Sequence, residues 1–205
     1  MMLEEVVFDR AKCLAEVREF QSFLGSHTTL KERDEISPFF KARDHLSAFL
    51  GVYNYRTIKF DRIGHEYPLF GDFKCDLVVG DWSRRSYVFV EFEDAAPESI
   101  FVKKSRNTPE WSPRFEHGFS QIVDWFYKLD TQRHLPDFEE RFGARIIHAS
   151  GLLVVGRKQD FGPRETDRLH WRQDHIAVNG KRIDCMTFDD LCEDMLARLA
   201  DFPTI

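Results

Sequence analysis

Two apolar runs that carry acidic residues and flank a polar turn decide the fold of this chain. The first run is Lys74-Cys75-Asp76-Leu77-Val78-Val79, the turn is Gly80-Asp81-Trp82-Ser83-Arg84-Arg85-Ser86, and the second run is Tyr87-Val88-Phe89-Val90-Glu91-Phe92-Glu93. Runs rich in valine and aromatic residues, bounded by turn-forming residues, are typical of β-strands. The stretch therefore predicts a β-hairpin at the centre of the protein.

The register of this hairpin brings carboxylates together. If the chain folds back between Ser83 and Arg84 without a bulge, Asp76 lies opposite Glu91. Opposed Cβ atoms lie roughly 4.5–5.5 Å apart, and like charges placed there repel each other. Glu93 shares the face of Glu91 because side chains alternate along a strand. Three such carboxylates lower stability unless a cation lies between them, so we predict that they bind a divalent metal ion.

A solvated acidic sheet face is the competing interpretation of the same residues. Two observations favour a site. Val78 and Phe89 lie on the same face as the acids and are apolar, which suggests that this face is covered. The second strand also ends in acids just before a loop, where functional sites are usually found.

The rest of the chain alternates between helical and strand patterns. Apolar spacing predicts helices at 6–24, 37–50, 114–130 and 163–175 and after Thr187, and further strands at 55–60, 145–156, 176–178 and 182–185. This order favours an α/β fold, with α+β as the alternative, in which helices flank a central mixed sheet. We expect one compact unit, in which 1–51 is an N-terminal helical element packed on the core and 52–205 is the main domain.

Composition limits the partners of the protein. The chain has 205 residues, 42% of them hydrophobic, and a net charge of −6, so it is not basic overall. A local group of cations could still contact a polyanion or could be a solvated basic surface. This group consists of Lys103, Lys104, Arg106, Arg114 and Lys128. Four cysteines without a CxxC pair suit reduced thiols, and no apolar run could span a membrane, so we expect a cytoplasmic protein.

Four stretches of the chain, 71–79, 87–95, 110–125 and 186–191, resemble the Shedu anti-phage nuclease family. The most specific part of this likeness is the helix stretch that ends in Gln121-Ile122-Val123-Asp124-Trp125. The spacing Asp76-x14-Glu91-x-Glu93, followed by a helix that bears Gln121, is also similar to the wider PD-(D/E)XK nuclease superfamily. The likeness covers roughly residues 35–200.

The resemblance implies a nuclease-like domain in 52–205 that acts as a metal-dependent endonuclease in bacterial defence against phage. It implies that Asp76 and Glu91 bind Mg²⁺ or Mn²⁺, that Gln121 reaches the site from its helix, and that the partner is double-stranded phage DNA. Glu35 is a candidate for an additional acid. The oligomeric state stays open, with a homo-oligomer as one option.

One residue departs from the family pattern. Glu93 stands where the pattern has a lysine that would orient the attacking water. Some restriction endonucleases of the superfamily carry glutamate there, as a base or a metal ligand, and Lys74, Lys103 or Lys104 could supply the missing charge. Two functions therefore remain open: an active endonuclease, and a catalytically impaired module that binds nucleic acid, senses it or oligomerises.

Overall fold

The computed structural model describes residues 2–71, 73–104, 108–160 and 162–201. Within these residues the chain forms seven helices, a seven-stranded mixed sheet and a separate two-stranded ribbon, so the expected α/β fold is confirmed. The strands are β1 Glu4–Glu5, β2 Arg62–Leu69, β3 Phe73–Asp81, β4 Ser86–Phe92, β5 Phe101–Val102, β6 Glu110–Trp111, β7 His148–Val154, β8 Ala177–Val178 and β9 Lys181–Met186. The helices are α1 Arg10–Ser26, α2 Ser37–Lys41, α3 Asp44–Phe49, α4 Pro113–Gln132, α5 Pro136–Phe142, α6 Pro163–His175 and α7 Phe188–Asp201.

The seven strands are ordered β1-β2-β3-β4-β7-β9-β8. Strands β4, β7 and β9 run parallel, and the other neighbours are antiparallel. Parallel neighbours need crossover connections, which α4 and α5 supply before β7 and α6 supplies before β9. In the central hairpin Leu77 pairs with Val90 and Asp81 with Ser86, which confirms the predicted register.

Helices cover both faces of the sheet and form two cores. One core joins α1, α2, α3 and α7 to the strand face that carries Val88, Val90 and Phe92. The other joins α4, α5 and α6 to the opposite face, which carries Tyr87 and Phe89. Segments on both sides of residue 51 thus contribute to the same core. Among the described residues, no helix combines the length and the apolar character that a membrane crossing requires.

Several predicted elements need correction. The single helix at 37–50 is wrong, because the chain breaks after α2 and restarts as α3. At the break, Arg43 donates from Nη1 to the Phe39 carbonyl at 3.0 Å, and Glu16 accepts from the Leu46 amide at 2.6 Å, which ends one helix and caps the next. The first helix also begins later than predicted, at Arg10, after the capping residue Asp9.

The strand predicted at 55–60 is wrong as well. This segment is irregular, because the Asp81 carboxylate accepts hydrogen bonds from the Ile58 and Lys59 amides at 3.0 and 2.8 Å. The strand in this region is β2, whose apolar positions are interrupted by polar residues and a proline. Helix α5 was not predicted, although Pro136 lies in its first turn and Gly143 ends it with a φ of 76°.

Candidate functional site

A cavity of about 930 Å³ opens where β3 begins and β4 ends. Its floor is the hairpin. One wall is the π-helical turn Glu32–Ile36 together with α2, and the other is α4. Helix α4 presents Arg114, His117 and Gln121 to the cavity. These residues are spaced i, i+3 and i+7, which places them on one side of a helix.

The structure brings the four predicted catalytic residues to this cavity. Asp76, Glu91, Glu93 and Gln121 all line it. Asp76 Oδ2 accepts a hydrogen bond from the Phe92 amide at 2.8 Å, and Glu91 Oε1 accepts one from Gln121 Nε2. Helix α4 therefore brings Gln121 into contact with Glu91, the residue that lies opposite Asp76 in the hairpin.

Glu93 has a different partner. Its amide donates to the Val154 carbonyl at 3.0 Å, which continues the pairing with β7 beyond the end of β4. Its carboxylate Oε2 accepts from Arg114 Nη1 at 2.8 Å. Arg114 Nη2 also lies 3.3 Å from Asp94 Oδ2. One guanidinium thus bridges two neighbouring carboxylates at the mouth of the site.

The side chains of Glu91 and Glu93 are buried. Glu91 is 5% exposed and Glu93 is 3% exposed. The interpretation of a solvated acidic face is therefore wrong, because α4 and the π-helical turn cover the acids. Residues this buried are expected to carry paired or protonated carboxylates.

Burial raises the pKa of each central carboxyl group. Desolvation raises the pKa of Asp76 and of Glu91 well above the ordinary range, and the other acids nearby add to the effect at both. Desolvation also raises the pKa of Glu93 to about 7, although the hydrogen bond from Arg114 opposes this shift. The site therefore favours protons or another cation over free negative charge.

The chemistry of these donors suits a small divalent cation only in part. Within the described ranges, no three His, Cys, Asp or Glu side chains are grouped to hold a metal ion together. The predicted three-carboxylate arrangement is thus not preformed, and the metal roles of Asp76, Glu91 and Glu93 stay predictions. Mg²⁺, however, is usually held by one or two carboxylates with waters and substrate phosphates, and Asp76 with Glu91 fits this smaller requirement.

The predicted nucleic-acid contacts are distributed unevenly. Arg114 lies in the cavity, whereas Lys103, Lys104 and Lys128 do not line it. Lys104 Nζ pairs with Glu110 Oε2 at 2.8 Å. Arg106 lies outside the described residues.

Two other predicted charges have structural partners. Lys74 lines the cavity but pairs with Glu66 at 2.8 Å. Glu35 does not line the cavity, and it accepts a hydrogen bond from the Lys31 amide at 2.8 Å, which supports the helical turn.

Sequence reasoning missed two acids of this site, Glu32 and Asp94. Glu32 lines the cavity, and its pKa is raised by desolvation in the first place, with Asp94 adding to the effect. Asp94 accepts from the Glu32 amide and from Lys31 Nζ, both at 2.9 Å, and so ties the π-helical turn to the end of the hairpin. Asp94 directly follows Glu93, which was a usable signal. Glu32 lies in a run of charged residues that resembles a surface loop.

The fold and the cavity define an α/β protein with buried acids at the end of a central hairpin, against a helix that carries an arginine and a glutamine. A family model described as Shedu protein SduA, C-terminal, matches residues 29–192. The chain belongs to this family, and membership implies a role in bacterial defence against phage. Comparison with curated proteins gives no match.

Proposed function

We propose that this protein is a Mg²⁺- or Mn²⁺-dependent endonuclease that cleaves double-stranded phage DNA. The observation that carries the proposal is the meeting of Asp76 and Glu91 beside Gln121 in one cavity. Glu91 is buried and Asp76 half-buried, both carboxyl groups have raised pKa values, and among the described residues neither forms an ion pair. Family membership places the protein in phage defence. The likeness to the PD-(D/E)XK superfamily supports the same reaction class.

Asp76 and Glu91 are the residues that would hold the metal ion. When bound, the ion would supply Lewis-acid stabilisation of the phosphate and lower the pKa of a water. Gln121 contributes by fixing the orientation of the Glu91 carboxylate through its hydrogen bond. Asp76 is oriented in the same way by the Phe92 amide.

Glu93 and Arg114 would act on the proton and on the phosphate. A carboxyl group with a pKa of about 7 is suited to general-base catalysis near neutral pH. Arg114 is 42% exposed at its side chain, so its guanidinium can reach a phosphate while Glu93 holds it. Arginine suits this role because its planar donors match phosphate oxygens. Lys103, Lys104 and Lys128 would contact DNA farther from the cavity, and Arg106 stays a contact predicted from the sequence alone.

A second function is favoured by the Glu93–Arg114 pair. Where the family pattern has a lysine, this chain has an acid whose carboxylate already accepts from an arginine at 2.8 Å. A site occupied in this way suits a module that binds nucleic acid without cutting it. In that case Arg114 would still be needed for binding, but Asp76 and Glu91 would not be needed for a reaction.

Incubation of the full chain with supercoiled plasmid and Mg²⁺ or Mn²⁺ tests the two functions. We expect the wild type to produce nicked or linear DNA and Asp76→Asn and Glu91→Gln to abolish cleavage. The matched control is Glu139→Gln, which changes an exposed acid outside the cavity and should cut like the wild type. If the wild type shifts plasmid in a gel without cutting it, the binding module is the correct function. If both site variants cut normally, the residue assignment is wrong.

A further inference from the structure

A second groove, of about 830 Å³, lies at the other end of the sheet. Its floor is the start of β7 and the middle of β9, and its walls are α7 and the segment 52–56. Because β4 and β7 are parallel and pair from Ser86–His148 to Phe92–Val154, about 20 Å of strand separates this groove from the acidic cavity. Among the described residues the two share no lining residue, so the inference is independent of the proposed nuclease activity.

In the described part of the chain, the floor of this groove carries a hydroxyl group without a hydrogen-bond partner and a carboxylate with a long ion pair. Ser150 is 8% exposed, and among the described residues its Oγ has no hydrogen-bond partner. Nearly all buried polar groups in proteins are hydrogen-bonded, so such a hydroxyl calls for an explanation. The neighbouring Asp184 carboxylate is also mostly buried, with 16% of its side chain exposed. Arg182 Nη2 lies 3.7 Å from Asp184 Oδ1, which is an ion pair but too long for a hydrogen bond.

The rim of the groove carries cationic and aromatic side chains. Arg56 donates to Tyr55 Oη at 2.9 Å and lies 3.2 Å from His148 Nε2, and in the part of the chain that the structure describes it has no carboxylate partner. Arg182 is 61% exposed at its side chain. The Tyr55 ring is 87% exposed. An unneutralised guanidinium beside an exposed aromatic ring can contact both a phosphate and a flat ring system.

We propose that this groove binds a nucleoside phosphate. Asp184 and Ser150 would accept hydrogen bonds from the N–H groups of the base on the floor, Tyr55 would stack on the base or the sugar, and Arg56 with Arg182 would contact the phosphate at the rim. The ligand must present donors at one end and negative charge at the other. An amino acid meets that condition but would leave most of the groove empty, whereas the volume is that of a site for a larger small molecule.

Isothermal titration of the full chain with ATP and with GTP tests this proposal. EDTA is present, so that metal-bound nucleotide at the acidic cavity does not contribute. Inorganic phosphate, adenosine and guanosine are titrated in parallel. We expect saturable binding of at least one nucleotide, and binding of the phosphate and the nucleosides that is weaker by roughly tenfold or more, because each lacks one half of the contacts.

Variants locate the site. Asp184→Asn and Arg56→Gln should each weaken nucleotide binding by roughly tenfold or more, as expected for the loss of a hydrogen bond to a charged group. Arg56 lies at the rim, so its replacement leaves the core intact even if Asp184→Asn unfolds. Arg18→Gln on the exposed side of α1 and Asp76→Asn in the other cavity should bind like the wild type.

Three results would overturn the proposal. The first is that neither nucleotide binds saturably up to about 1 mM. The second is that inorganic phosphate binds as tightly as the nucleotides. The third is that Asp184→Asn and Arg56→Gln both bind nucleotide like the wild type, although thermal melting shows that they are folded.

Discussion

At the scale of single residues, the buried carboxylates couple the stability of the protein to pH. The pKa values of Asp76, Glu91 and Glu93 are raised in the folded state, chiefly by desolvation. Between the unfolded pKa of about 4 and the higher folded values, the folded state therefore binds more protons than the unfolded state. The stability from these groups is fully present below about pH 4 and is lost as the pH rises through the folded pKa values.

Glu91→Gln tests this coupling. Without metal, the variant should be more stable than the wild type at pH 8 by about 1–3 kcal/mol. At this pH the wild type must keep the Glu91 carboxyl group protonated far above its unfolded pKa, whereas glutamine is neutral at every pH and keeps an acceptor for Gln121. At pH 5, where the wild-type carboxyl group is protonated, the difference should be small. Chemical unfolding at the two pH values measures it, with Glu139→Gln as the exposed control. Parallel pH profiles for Glu91→Gln and the wild type would contradict the raised pKa.

Arg114→Ala probes the ion pair at the mouth of the site. Removal of the guanidinium leaves Glu93 buried without its 2.8 Å partner, so we expect a loss of about 1–3 kcal/mol at pH 8. The loss should shrink at pH 5, because Glu93 can then be protonated.

The double variant Glu93→Gln/Arg114→Ala supplies the control for this pair. It should recover most of the stability, because no unpaired charge remains buried. Lys104→Ala breaks an exposed pair and should change stability by less than about 1 kcal/mol. A pH-independent loss in Arg114→Ala would mean that packing, rather than the charge of Glu93, accounts for the effect.

At the scale of elements, the distance between α4 and the sheet determines whether Gln121 can contact Glu91. Gly118 faces the sheet, and a Cβ there would lie 2.7 Å from Leu153 Cδ1 and 3.2 Å from Glu93 Cγ. Glycine therefore lets α4 lie close to the sheet, because a larger residue would require the Leu153 and Glu93 side chains to shift. The helix itself starts with Ser112, whose Oγ accepts from the Phe115 amide at 2.9 Å, and with Pro113 in the first turn.

Gly118→Ala should push α4 away from the hairpin. We expect destabilisation of about 1–3 kcal/mol from overpacking, together with a clear loss of the proposed metal-dependent activity. Gly25→Ala in α1 is the matched control, because a Cβ there meets nothing within 4 Å and alanine favours a helix by roughly 0.5–1 kcal/mol. Thermal melting and plasmid cleavage measure both effects. A Gly118→Ala variant as stable and active as the wild type would show that the helix position is not limiting.

At the scale of the whole molecule, the end of α1 and the start of α7 are held together. Arg157, which is 7% exposed, pairs with Asp189 at 2.9 Å at the start of α7. It also donates to the carbonyls of His27 and Leu24, at 2.7 and 3.1 Å, at the end of α1. The first and last helices thus form one layer over the sheet, joined by a buried guanidinium.

A chain restricted to 52–205 should therefore fail to fold. It would expose the sheet face that α1, α2 and α3 cover, which leaves a large apolar surface in water. We expect aggregation or loss of near-ultraviolet circular dichroism, while the full chain gives a cooperative melt. A cooperative melt of 52–205 alone would show that the N-terminal helices are an independent addition.

The sequence by itself determined the hairpin and the helices that begin with strong caps. The register of the hairpin followed from the centre of the turn and selected Asp76 and Glu91 as candidates, whereas Gln121 was implied by the resemblance to the Shedu family. Helix α7 also followed from local chemistry, since the Thr187 hydroxyl accepts from the Asp190 amide at 3.0 Å. Such features involve residues close in the chain, where alternation and capping leave few alternatives.

Only the tertiary structure decided how the site is completed. The break between α2 and α3 depends on Glu16, the irregular segment at 55–60 depends on Asp81, and the roles of Glu32, Asp94 and Arg114 depend on helices that meet the hairpin from both sides. These contacts join residues far apart in sequence, and no local pattern encodes them. Burial, which raises the pKa values of the acids, is likewise a property of the packed helices rather than of the strand that carries them.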